Sequence, residues 1–251
     1  MARDRDRDKG VKQRVKTARG RKPSSTRWLQ RQLNDPYVAQ ARASGYRSRA
    51  AFKLAELDDK LKILKPGKRV VDLGAAPGGW AQIAVERVGA GRPGAPLVVA
   101  VDIAEMEPVQ GAAVLRLDML EPGTEDAIRE ALGGAPDIVL SDMSPSTTGH
   151  AATDHIRIVA LVEAALDFAC AVLAPGGTFV AKVFRGGTEA SLLDVVKRRF
   201  DRVRHVKPAA SRQESPEIYL VATGFRPNSG MGSDGGSAGD SGGDSGAESG
   251  A

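Results

Sequence analysis

The chain has 251 residues, 36 Lys/Arg against 31 Asp/Glu and one cysteine, so it has no disulfide framework. It also lacks the run of about 18 apolar residues that a membrane-spanning helix needs. Charge is lopsided: residues 1–49 carry 15 Lys/Arg against 4 Asp/Glu, residues 50–225 carry 20 against 23, and residues 226–251 carry 1 against 4. A basic end of this kind is either a solvated tail or a footprint for nucleic acid, whose phosphates reward clustered Arg and Lys through counterion release.

Residues 1–24 have no periodic apolar positions, and residues 226–251 are Gly/Ser/Asp-rich, so neither can bury enough surface to offset its ordering entropy; both read as disordered tails around a domain over 25–225. The polar start "MARDRDRDKG" is no signal peptide, and the lone Cys170 in "ALDFACAVL" reads as a core thiol; a cytoplasmic protein is expected.

Helical patterns run over 26–42, broken at Pro36, and over 47–63. Then "KRVVDLG" reads as a strand, "GGWAQIAVERVG" as a helix, and "PLVVAVDI" and "AAVLRLDM" as strands. "GTEDAIREALGG" is a helix with Thr124 as its expected cap, "PDIVLSDM" a strand, and residues 153–177 a long helix. "TFVAKVF" is a strand, "TEASLLDVVKRRF" a helix, and "DRVRHVKP" and "EIYLVATGF" are closing strands with no helix between them. Alternating helices and nearly continuous apolar strands predict a doubly wound α/β fold. The expected form is a Rossmann-like mixed sheet of seven strands with helices on both faces and an antiparallel final pair.

Ligands of such sheets bind beyond the carboxyl ends of the strands. There "VVDLGAAPGGW" forms a glycine-rich strand-to-helix turn, spaced G-x-x-x-G-G and not as the dinucleotide pattern. Asp102 ends one strand, where a carboxylate can accept ribose hydroxyls, and Asp118 ends the next, where it can face an adenine amine. Asp72 lies inside the first strand. Three acids converging on one crevice favour a nucleoside, and an acid-rich pocket suits the sulfonium of S-adenosylmethionine better than the pyrophosphate of NAD.

Lys182 is the only charge in "GGTFVAKVF", and a lone buried ammonium is costly. Asp142 ends the neighbouring strand, Glu217 begins the last one, and Lys53 lies on the second N-terminal helical pattern. A lysine can remove an alcohol's proton when burial or a second cation lowers its pKa, and Lys53 is positioned to be that cation. Two structural salt bridges would use the same four residues.

The segments "RSRAAFKL", "VVDLGAAPGGWAQ", "SDMSPSTTG", "LAPGGTFVAKVF" and "EIYLVATG", in this order, resemble the FtsJ/RrmJ (RlmE) family of bacterial 23S ribosomal RNA 2′-O-ribose methyltransferases. The resemblance covers about residues 27–225. It implies that Lys53, Asp142, Lys182 and Glu217 form a catalytic tetrad with Lys182 as proton acceptor. It also implies that Gly78, Trp80, Asp102, Asp118 and Asp142 contact S-adenosyl-L-methionine. The implied substrate is a uridine ribose in the A-loop of 23S rRNA, within the large ribosomal subunit, modified without a metal; a monomer that binds no membrane is expected. Ser144 and Ser146 depart from the family's usual Ala and Asn.

Arg27, Arg31, Arg42, Arg47 and Arg49, with Trp28, Tyr37 and Tyr46, are candidate RNA contacts, although Trp28 also suits a core position. Arg47 and Arg49, just before Lys53, are the expected leads into the site, so that replacing both with Glu would weaken RNA binding alone. His150 and His155, five positions apart without cysteine or a third histidine nearby, do not make a metal site. An NAD-linked oxidoreductase, a non-catalytic ribosome-assembly factor, and a methyltransferase of tRNA or another RNA are the competing readings.

Overall fold

A computed structural model describes residues 14–15, 20, 23–90, 98–145, 150–185 and 190–227. Seven strands form one sheet in the order β3-β2-β1-β4-β5-β7-β6. They are β1 (Val70–Leu73), β2 (Val98–Asp102), β3 (Ala112–Arg116), β4 (Ile138–Ser141), β5 (Thr178–Phe184), β6 (Phe200–Val206) and β7 (Glu217–Phe225). The first five run parallel, and β7 lies antiparallel between β5 and β6, as the missing crossover helix dictates. The winding direction reverses between β1 and β4, so a crevice is expected at their carboxyl ends.

Helices α5 (Thr124–Leu132), α6 (Ala151–Val172) and α7 (Ala190–Arg199) cover one face of the sheet, packing on Val71, Val99, Val139, Phe179 and Leu220. On the other face α3 (Ala50–Leu61) and α4 (Gly79–Val88) pack Leu54, Leu57 and Ile83 on Val70, Val98, Ile138 and Val180. Alternate residues of a strand share a face. Phe179, Ala181 and Val183 belong to the first core and Val180 to the second, so Lys182 projects under α3 and α4.

The N-terminal pattern resolves into α1 (Pro23–Leu33) and α2 (Pro36–Ala43). Their junction is set by Asp35, whose side chain accepts from the Tyr37 N–H at 3.1 Å as an N-cap, with Pro36 in the first helical position. The domain edges exceed the expected 25–225: α1 begins at Pro23, and Arg226 still donates its N–H to Arg199 O at 2.7 Å. The expected tails fall mostly outside the described residues, as does Ser146. Thr124 is not a cap. Gly123, at φ 88°, takes that position, and the Thr124 hydroxyl donates instead to Asp118 O at 2.8 Å, tying α5 to the segment after β3. Cys170 is half-buried, packed against the first core.

Candidate active site

A cavity of about 700 Å³ opens at the carboxyl ends of β1, β2 and β4, between Gly74, Asp102, Ile103, Asp118, Asp142 and Leu161. Gly74 has φ 71°, and a side chain there would collide with Met143, so glycine keeps the turn after β1 close to the segment after β4. Asp102 accepts the N–H groups of Ala76 and Ala104, each at 2.8 Å, which fixes its carboxylate between the glycine turn and the segment after β2. Asp118 stands two residues past β3 and accepts the Leu120 N–H at 3.0 Å. Ile103 and Leu120, 68% and 67% exposed, add apolar rim to the same cavity. Large apolar side chains left in water beside a concave polar site mark a ligand surface. Sequence periodicity gave no hint of them.

Two of the cofactor contacts implied by the resemblance are not brought to the cavity wall. Gly78, at φ 110°, is the N-cap of α4 and faces the Arg47 side chain. The Trp80 indole is buried under α3, donating to Ala50 O at 2.9 Å and packing against Tyr219 with ring centres 5.5 Å apart and planes tilted by 40°. It is a pillar between helix and sheet.

The four residues of the implied tetrad do converge. Asp142 directly follows β4, and the β4–β5 register sets it beside Lys182 on the same face. Lys182 Nζ lies 3.2 Å from Asp142 Oδ1 and donates to the Asp142 carbonyl at 2.7 Å. Lys53 Nζ pairs with Glu217 Oε1 at 2.8 Å. Glu217 thus holds the second lysine. Both lysines are 8% exposed. Burial pushes the Glu217 carboxyl up, but Lys53, then Ser211 and Lys182, outweigh it and hold the group below its ordinary value.

Between the two pairs stands Tyr219, which the sequence reading missed. It is fully buried, faces Lys182 across the β5–β7 ladder, and donates its hydroxyl to Asp142 Oδ1 at 2.8 Å. Its ring lies 5.8 Å from Lys53 Nζ. Burial, then Asp142 and Glu217, push its phenol pKa well up, so the hydroxyl stays a donor. The available signal was period two on β7, which places Tyr219 on the face of Glu217.

Asp72, 1% exposed on that face, lies under the first turn of α4 with neither oxygen completing a hydrogen bond. Burial first, then Asp142 and Asp102, raise its pKa well above the usual 3.8. An acid held this way binds its proton more tightly when folded, so its effect on stability is lost to the protein as pH rises above the unfolded value. Asp72→Asn is therefore expected to raise the melting temperature by a few degrees near neutral pH, with a smaller gain in mild acid; melts at about pH 5 and about pH 8 check this.

The expected RNA leads, Arg47 and Arg49, are instead engaged internally. Arg47 donates to Glu107 O and Pro108 O, both at 2.5 Å, and to Pro77 O at 3.2 Å, clamping the glycine turn to the segment after β2. Arg49 pairs with Asp35 at 3.2 Å, donates to Ala210 O and lies over the Tyr37 ring. Their double replacement by Glu would damage the fold, so it does not isolate RNA binding. Tyr37 and Tyr46 pack on Phe52 of α3, at 5.6 and 5.5 Å. The side chains of Arg27 and Trp28 lie outside the described residues. No group of three metal-ligating side chains occurs among the described residues, and none of their helices is long and apolar enough to cross a membrane.

A family model described as FtsJ-like methyltransferase matches residues 46–225, the segment holding the cavity and both lysine pairs. The chain belongs to this family. Among relatives, "Ribosomal RNA large subunit methyltransferase E" of Paramagnetospirillum magneticum is 63% identical over 217 residues, covering 86% of this chain and 89% of the relative. The protein of the same name from Parvibaculum lavamentivorans is 59% identical over 229 residues, covering 88% and 89%. A solved Plasmodium falciparum structure, described as a ribosomal RNA methyltransferase, superposes with a TM-score of 0.62 at 29% identity, covering 72% of this chain and 98% of that one. An FtsJ-like methyltransferase requires a methyl donor.

Proposed function

We propose that this chain methylates the 2′-hydroxyl of a ribose in large-subunit ribosomal RNA, with S-adenosylmethionine as donor and Lys182 as proton acceptor. The observation that carries this reading is the buried Lys182 amine held 3.2 Å from Asp142, the residue of the pair that lines the cavity. The names of the relatives supply the RNA; the family resemblance supplies the finer assignment to a uridine of the 23S rRNA A-loop. Residues 23–226 would be the methyltransferase unit, acting as a monomer in the cytoplasm.

The cavity suits the donor. Its fixed carboxylate at Asp102 matches a ribose diol, its apolar rim at Ile103 and Leu120 an adenine, and its acids a cationic sulfur. When bound, S-adenosylmethionine supplies an electrophilic methyl carbon on a sulfonium. The protein's part is to prepare the alcohol. Lys182, in its lone-pair form, takes the hydroxyl proton as the oxygen attacks. Asp142 aims that amine, aided by its own carbonyl and by Tyr219. Glu217 and Lys53 form a nearly dry wall that fixes the attacking ribose.

Tyr219→Phe keeps the buried ring and removes one hydrogen bond to a charged acceptor, worth ~1.5–3 kcal/mol. Methyl transfer is expected to slow roughly tenfold or more, with the melting temperature lowered by several degrees. Labelled transfer rates beside thermal melts check this.

The function itself is tested by incubating the chain with labelled S-adenosylmethionine and large subunits from cells lacking it, then mapping alkali-resistant linkages. One new 2′-O-methylated ribose in the large-subunit RNA is expected. Label on a base, on protein or on tRNA alone would overturn the reading.

A further inference from the structure

A second cavity, of about 550 Å³, lies between the α1–α2 junction and the segment that joins β6 to β7. Its size falls in the ~300–1,000 Å³ range of ligand pockets. The walls are polar and carry cations: Arg31, Asn34, Tyr37, Arg49, Arg212 and Gln213. Two of the three arginines are partly spent, because Arg49 and Arg212 hold the buried Asp35 carboxylate at 3.2 and 3.0 Å. Glu214 is the other acid of the lining. Arg31 is exposed and has no ion-pair partner among the described residues, which leaves one cation over.

The position of this cavity matters more than its composition. Ser211 lines it, and the Ser211 hydroxyl is buried close enough to Glu217 to help hold that carboxylate low, though short of a well-formed hydrogen bond. Along the sheet the order is therefore first cavity beyond β1 and β4, then Asp142, Lys182 on β5, Glu217 on β7, then the second cavity. A ribose at Lys182 has the donor cavity on one side and this polar cavity on the other. The basic N-terminal segment also reaches it, since the Val15 N–H donates to the Gln30 side chain of its lining at 3.1 Å.

We propose that the second cavity receives a nucleotide adjoining the methylated ribose, Arg31 meeting its phosphate and the Gln213 amide meeting its base. This rests on the RNA reading above. A guanidinium fits phosphate, and a side-chain amide offers donor and acceptor to a base edge. Such a subsite splays the strand away from the donor cavity and fixes which ribose reaches Lys182.

The test uses the full chain, salt-washed large subunits from cells lacking it, and labelled S-adenosylmethionine. Arg31→Ala is expected to raise KM for subunits about tenfold at constant donor affinity and kcat, and to lower the slope of log affinity against log salt by about 1. Ala209→Trp fills the same cavity without touching charge, and the same rise in KM is expected with no change in salt slope. An unchanged KM in Ala209→Trp would reduce the cavity to a charged surface and overturn the proposal, as would a fall in kcat alone. With a diazirine side chain at 213, crosslinking to ribosomal RNA beside the methylated ribose is expected; crosslinking only to ribosomal protein would overturn it. If the unaltered chain labels no ribose, the parent reading fails, a result distinct from failure of these variants.

Discussion

Replacing Lys182 by methionine is expected to slow methyl transfer by about 10²–10⁴-fold, the usual contribution of a positioned general base. Methionine matches the lysine stem in length and suits the buried position, where only 8% of Lys182 meets solvent. The Asp142 carboxylate keeps the Tyr219 hydroxyl at 2.8 Å, so the cavity wall keeps one of its supports. Donor affinity, measured by calorimetry, should stay near that of the unaltered chain, since Lys182 does not line the donor cavity. A folded, donor-binding, inactive protein separates an enzyme from an assembly factor built on the same fold. Removing one partner of the buried Lys182–Asp142 pair is expected to cost stability in either case, so the rate decides: if the two lysine pairs were merely structural salt bridges, the folded variant would keep it.

The largest expected loss of stability comes from Asp35→Ala, far from the chemistry. Asp35 caps α2 through the Tyr37 N–H and pairs with both Arg49 and Arg212 from a buried position. Losing a cap costs ~0.5–2 kcal/mol, and breaking a buried ion pair by removing one partner ~3–5 kcal/mol. These are not additive within one network, so about 3–5 kcal/mol is expected, which lowers the melting temperature by roughly 10 °C in a domain of this size. Asp35→Asn, which keeps a capping oxygen, should recover part of the loss; a melting temperature equal to that of the unaltered chain would show that the network carries no stability.

The strands and helices were readable because each buries its own apolar face, and burial by an element is written in its local period. Lys182 was readable because it is a charge where charge is expensive, whereas Asp142, Lys53 and Glu217 joined it as a tetrad only through the family resemblance. The internal bonds of Arg47 and Arg49 were hidden for the complementary reason. Their partners, Glu107 O and Ala210 O, lie 60 and 161 residues away in sequence, so an arginine serving as a clamp looks like one facing RNA. Tyr219 drew no reading from the sequence, because only the strand register and the folded packing bring its hydroxyl to a site carboxylate. Thr124 had the chemistry of a cap, but the left-handed Gly123 before it took that position and left the hydroxyl to Asp118 O.

The most direct measurement is the single-turnover rate of methyl transfer to saturating large subunits across pH, for the unaltered chain and for Lys182→Met. At each pH the unaltered chain should transfer the methyl group about 10²–10⁴-fold faster than Lys182→Met, whose slow rate should climb in proportion to hydroxide because solvent must then take the ribose proton. Similar rates and the same pH profile in both proteins would contradict the assignment of the proton to Lys182.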